Sequence, residues 1–152
     1  MTGVIIIMGS KSDMPHVDKI TKALDKFDLS YRLNVSSAHK SPAHLLQLLA
    51  NYEADPTPKV YITVAGRSNA LSGMVDASVV APVIACPPYS DAFGGADIFS
   101  SVRMPSGVTP ALTLEPANAA LLAAKILGKT EQVRKFQQAQ TEKLVRDNKL
   151  VQ

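Results

Sequence analysis

The chain holds three histidines, and one of them, His39, stands in the stretch LNVSSAHKSPAH, residues 33 to 44, between Ala38 and Lys40 and after Ser36 and Ser37. No apolar periodicity around it would bury the ring. An imidazole changes protonation near neutral pH, which suits a general acid or base; an ordinary loop histidine is the competing reading. His16 and His44 fall inside helical segments and are expected at the surface. The three are scattered, with no cysteine or carboxylate at ligand spacing, so a bound metal is not expected.

A second group of chemistry-bearing residues is GSKSD, residues 9 to 13. It joins a strand-like run to a helical one, and its small residues leave backbone N–H groups at the positive end of the helix free to meet an anion. Ser10 and Ser12 add hydroxyl donors. Neither the Gly-x-x-x-x-Gly-Lys-Ser/Thr nor the Gly-x-Gly-x-x-Gly pattern is present, so the expected anion is a single phosphate. Asp13, an acceptor, suits sugar hydroxyls; the alternative is that Ser12 or Asp13 caps the helix. AGRSNALSG, residues 65 to 73, is dense in small residues, as a loop is where backbone must approach a ligand. In it Arg67 could bind phosphate or pair with a carboxylate. Cys86, the single cysteine, is expected to be a buried small hydrophobe.

The elements that must carry these loops alternate. VIIIM, residues 4 to 8, is a continuous β-branched run suited to a strand buried on both faces. Val17, Ile20, Leu24 and Phe27 recur at helical spacing up to about Asp28. Tyr31, Leu33 and Val35 alternate with polar residues, as in a shorter strand nearer an edge. Ser41 and Pro42 read as N-cap and first helical residue, with Leu45, Leu46, Leu48, Leu49 and Tyr52 as the buried face. Strands are expected at 60–66, 83–86 and 111–114, and helices at 69–80, where Gly73 weakens the pattern, and at 116–127. The βαβ series predicts a three-layer α/β/α domain with a flavodoxin- or Rossmann-like parallel sheet and a helical tail over 128–152. In such a sheet ligands sit outside the carboxyl ends of the strands. GSKSD, SSAHK, AGRSNALSG and CPPYSDAFGGAD all fall on that rim.

Composition sets the outer bounds. A chain of 152 residues, 46% hydrophobic and 19% charged, is expected to form one folded domain over 1–152. One cysteine excludes an internal disulfide framework and fits a reducing compartment. The amino-terminal apolar run is too short for a signal peptide or a membrane span, and a cytoplasmic protein with no membrane partner is expected. The basic excess lies after residue 124, interleaved with Glu131, Glu142 and Asp147 as on a solvated helix, which argues against nucleic acid as a partner. The absence of Trp and the 5% aromatic content argue against a flavin-binding module, and GSKSD and AGR lack the acidic residues a receiver-type signalling domain needs.

Taken in order, MGSKSD, SAHK, AGRSNALSG, MPSG and NAALLAAKIL resemble the PurE family of de novo purine biosynthesis, over residues 4 to 127. Each motif alone is weak, but five in order are specific. The family comprises a mutase, which moves a carboxyl group from N5 to C4 of carboxyaminoimidazole ribonucleotide (N5-CAIR), and a carboxylase, which adds CO2 to C4 of aminoimidazole ribonucleotide (AIR) to give 4-carboxy-AIR. Mutases typically carry Ser-Ala-His-Arg and a second histidine in the later loop. Lys40 after His39, and Ala70 in the place of that second histidine, are similar to the carboxylases. The resemblance implies AIR carboxylation with no cofactor, the mutase reaction being the alternative. It also implies roles. His39 would move the C4 proton, Ser10, Ser12 and Lys40 would hold the 5′-phosphate, and Asp13 the ribose. Gly66, Ser68 and Asn69 would line the CO2 pocket that Ala70 leaves open, with Ser37 and Arg67 as further substrate contacts. It implies a homo-octamer with sites at subunit interfaces, the tail packing on neighbours.

Overall fold

A computed structural model of the chain describes residues 3–152; Met1 and Thr2 of the amino-terminal stretch lie outside the described residues. Five parallel strands, β1 (Gly3–Met8), β2 (Tyr31–Val35), β3 (Lys59–Val64), β4 (Val83–Ala85) and β5 (Ala111–Leu112), form one sheet in the order β2-β1-β3-β4-β5. Among the described residues six α-helices accompany them: α1 (Met14–Asp25), α2 (Pro42–Glu53), α3 (Ala70–Asp76), α4 (Phe99–Val102), α5 (Pro116–Ile126) and α6 (Thr130–Leu150). The α/β layering matches the sequence expectation.

The layers follow from the two-residue period of the central strands. Val4, Ile6 and Met8 point to one side, where they meet Val17, Ile20 and Leu24 of α1 and Ala119, Ala120 and Ala123 of α5. Ile5 and Ile7 point to the other, against Leu45 and Leu49 of α2 and Leu71 and Val75 of α3. The alanine run of α5 allows close approach to the sheet. β2 is an edge strand, as its alternation predicts, and leaves Tyr31, Leu33 and Val35 partly exposed.

Several boundaries differ from the sequence reading. Leu46 is 46% exposed. Leu45, Leu49 and Tyr52 share one face at helical spacing, and Leu46 is turned about 100° from Leu45. The ladder of β3 stops at Val64, freeing Ala65 and Gly66 to enter the loop. The strands expected at 83–86 and 111–114 end at Ala85 and Leu112. The helix expected at 69–80 runs only over Ala70–Asp76. Gly73 within it faces the Met104 Sδ, which would stand 3.2 Å from an added Cβ, so the missing side chain makes room for the incoming MPSG loop. The connection from β4 to β5 contains 3-10 turns at Asp91–Phe93 and Ala96–Ile98 and the short α4, none of which periodicity revealed.

The strand order places a switch between β1 and β3: from β1 the chain first turns to β2, then crosses back to β3 on the opposite side. Loops leaving adjacent strands in opposite directions open a crevice at their carboxyl ends.

Candidate active site

A cavity of about 470 Å³ occupies that crevice. Its first wall is the turn after β1. Gly9 N–H bonds the Val64 carbonyl at 2.9 Å, extending the β1–β3 pairing to the lip of the site. Ser10 Oγ then accepts the Ser12 N–H at 3.2 Å and the Ser12 hydroxyl at 2.8 Å, while Asp13 Oδ2 accepts the Ser10 N–H at 3.1 Å. This is a reciprocal capping box. The residue whose side chain caps the turn is thus Ser10, whereas Ser12 or Asp13 was the alternative read from sequence; Asp13 closes the box from the other end. Ser10, Ser12 and Asp13 all line the cavity. Burial pushes the Asp13 carboxyl above its ordinary value, against the opposing pull of the Ser10 N–H and of His16.

The second wall is the turn after β2, and its serines knot it. Ser36 N–H bonds the Met8 carbonyl at 3.0 Å. Ser41 Oγ accepts the Ser37 N–H at 3.0 Å, donates to the Ser37 carbonyl at 3.2 Å and lies 3.2 Å from Ser36 Oγ; Ser37 Oγ accepts the Lys40 N–H at 3.2 Å. The Ser41 hydroxyl therefore does not cap α2, contrary to the expectation from Ser-Pro, because it folds back to close the preceding turn. This knot holds the backbone and leaves the side chains of His39 and Lys40 exposed at the cavity, with Ser37 and Ala38 beside them.

The third wall follows β3. Arg67 has φ 59°, the left-handed region that a non-glycine residue seldom adopts. Its N–H donates to Asp97 Oδ2 at 3.2 Å, and its carbonyl accepts the Ser100 hydroxyl at 3.2 Å. Its guanidinium carbon lies 6.0 Å from the Phe93 ring centroid. Gly66, Arg67 and Ser68 line the cavity. Asn69 and Ala70 are not among the lining residues. Asn69 is 3% exposed; its Oδ1 accepts the Ser72 N–H at 3.2 Å and its Nδ2 donates to Ser101 Oγ at 2.9 Å, so its side chain caps α3 and pins α4. Ala70 opens α3 at an exposed position. Asn is a strong N-cap residue, a signal available in the sequence.

Gly9, Ala38, Ala65, Leu71, Pro88, Tyr89 and Ser90 complete the lining beyond the residues singled out from sequence. The rim loop CPPYSDAFGGAD was legible as a rim, but nothing in its composition distinguished Pro88, Tyr89 and Ser90 within it. Tyr89 is 77% exposed and brings the cavity its aromatic ring.

His44 is exposed as expected, but His16 is half-buried, with Nε2 3.5 Å from Cys86 Sγ. Burial holds this imidazole below its usual pKa and pushes the Cys86 thiol up to about 12. Cys86 is fully buried, which removes it as a nucleophile. Among the described residues no group of three or more His, Cys, Asp or Glu side chains is arranged to hold a metal ion, and no helix is long and apolar enough to cross a membrane.

The cavity thus gathers hydroxyls, an ammonium, a guanidinium, an imidazole and one carboxylate, a set fitted to an anionic, hydroxylated small molecule. A family model described as AIR carboxylase matches residues 3–146. A phosphoribosylaminoimidazole carboxylase of Treponema denticola is 51% identical over 150 residues, covering 95% of this chain and 94% of the relative. One from Archaeoglobus fulgidus is 54% identical over 139 residues, covering 88% and 76%. The crystal structure of Treponema denticola PurE superposes with a TM-score of 0.98 at 49% identity, over 100% of this chain and 99% of that one. Fold, motif order and these matches along nearly the full length agree: the chain is an enzyme that belongs to the AIR carboxylase family.

Proposed function

We propose that the enzyme carboxylates AIR at C4 with CO2, reversibly, to give 4-carboxy-AIR in de novo purine biosynthesis. The observation that carries this reading is the placing of His39 and Lys40 in the same cavity as the Ser10–Asp13 turn and the Gly66–Ser68 backbone. The carboxylase names of the relatives support it, as do Lys40 and Ala70, which are similar to the direct carboxylases.

In this reading the Ser10 and Ser12 hydroxyls, the Lys40 ammonium and the N–H groups at the start of α1 hold the 5′-phosphate, and Asp13 accepts from the ribose hydroxyls. Ser37 and Arg67 add contacts to the substrate. The aminoimidazole C4 is enamine-like and CO2 is electrophilic, so alignment supplies much of the acceleration. The C4 electron pair forms the new C–C bond, and the positive charge spreads over the ring nitrogens. His39 then takes the C4 proton, its C–H electrons restore the aromatic ring, and the carboxylate remains beside Gly66 and Ser68. Decarboxylation reverses each step. In this reading the nucleophilic ring and electrophilic CO2 need no ATP, biotin or metal. The whole chain acts as one cytoplasmic catalytic domain, assembled as a homo-octamer through its tail.

The test compares AIR with dissolved CO2 against N5-CAIR in CO2-depleted buffer. Efficient 4-carboxy-AIR formation from AIR, with no use of N5-CAIR beyond its spontaneous decay, is the expected result. The reverse pattern would make the enzyme a mutase.

A further inference from the structure

We infer that His16 is a positioning residue for substrate binding: its contact with Cys86 fixes the Asp13-bearing turn against the wall that follows β4. This rests on the reading of Asp13 as the ribose acceptor.

His16 lies in the first turn of α1, three residues after Asp13, so the two side chains leave neighbouring positions on the helix surface. Beyond this turn α1 is held by Val17, Ile20 and Leu24, which are fully buried. Within the first turn Pro15 is exposed and Met14 only partly buried, so the apolar anchor begins after the residues that line the cavity. His16 adds a polar tie to the partly buried Met14 contact, its Nε2 standing 3.5 Å from Cys86 Sγ.

The far end of the tie is fixed. Cys86 N–H bonds the Thr63 carbonyl at 2.9 Å, continuing the sheet, and Sγ lies 3.9 Å from the Leu114 carbonyl. A thiol that donates to the Leu114 carbonyl is left to accept an N–H from His16, and with Nε2 as that donor one direction of donation runs through both contacts. Pro88, Tyr89 and Ser90 line the cavity just beyond Cys86, with Pro87 between. The contact therefore links two cavity walls that no shared segment of chain connects. Neither His16 nor Cys86 lines the cavity, and the contact acts through Asp13.

The experiment measures KM for AIR and kcat at saturating CO2 in His16→Ala, His16→Gln, Cys86→Ala, the His16→Ala/Cys86→Ala double variant and Asp13→Asn. Loss of one such hydrogen bond predicts that His16→Ala and Cys86→Ala each raise KM roughly 3- to 10-fold with kcat within about twofold. The double variant should be no worse than the poorer single one, and His16→Gln, which keeps an N–H donor, should recover most of the affinity. Should His16→Ala not fold, Cys86→Ala carries the same test. An unchanged KM in the folded variants, with KM raised in Asp13→Asn, would overturn the positioning role and leave the proposed function standing. An unchanged KM in Asp13→Asn would remove the ribose role and the inference with it.

Discussion

His39 and Lys40 leave a turn whose backbone is tied by Ser36, Ser37 and Ser41, so their side chains can be exchanged without loosening the frame. In the proposed mechanism His39→Asn removes the proton acceptor and little else. Near-normal AIR affinity with kcat reduced by roughly two orders of magnitude or more is expected from substrate titration and single-turnover rates. Retained turnover would take His39 out of the mechanism. Asp13 yields a pH prediction. Its carboxyl is raised by burial above the ordinary value of about 3.9, so it gains its proton at a higher pH than an exposed aspartate would. Folding therefore disfavours the ionised form, and the cost to stability is relieved as pH falls through the raised value. In the proposed binding mode affinity has the opposite dependence, because only the carboxylate accepts two ribose hydroxyls well. AIR affinity should weaken on acidification with a break above the ordinary aspartate range, and Asp13→Asn should bind more weakly than the parent above that break, approach it below, and lack the break itself. An identical break in both would assign it to the substrate phosphate.

Among the elements, α2 separates pattern from position. Leu45 is fully buried against the sheet, and Leu45→Ala should cost about 2–5 kcal/mol in denaturant unfolding. Leu46→Ala, one residue along at a largely exposed site, should stay within about 0.5 kcal/mol. Equal costs would mean that the helix is rotated from its described setting or that Leu46 is covered in an assembly. The strands and α1, α2 and α5 were readable because burial imposes a period of 2 or 3.6 on long segments. The rim loops were readable as rims because each follows a strand end. The interior of residues 87–110 was not, since its turns are set by tertiary bonds such as Ser100 to Arg67 and Asn69 to Ser101, which leave no periodic trace. The resemblance to the PurE family implies that Asn69 lines the CO2 pocket, and the amide is occupied in capping α3.

At the scale of the molecule, α6 is supported at one end only. Val133 is buried, Phe136 meets the Phe27 ring edge-on with centroids 5.4 Å apart, and Gln132 Nε2 donates to Asp28 Oδ2 at 3.3 Å. From Gln137 onward every residue of the helix is exposed, with Leu144 at 67% and Leu150 at 83%. Leu144, Val145, Leu150 and Val151 leave apolar side chains on this far end that no other described residue of the chain covers. A helical stretch this short, standing free in water, is marginal, because nucleation is costly and most helical stability in proteins comes from packing. In the proposed homo-octamer a surface of another copy would supply that packing and order the helix in solution. Native mass by light scattering should show an assembly that Leu144→Asp or removal of residues 139–152 reduces to smaller species. Amide exchange over 139–150 should be slow in the assembly and fast in those variants, while β1 and β3 stay protected in all of them. A parent protein that is monomeric at micromolar concentration with slow exchange in the same segment would show that the helix needs no partner, and would remove the tail from the proposed assembly.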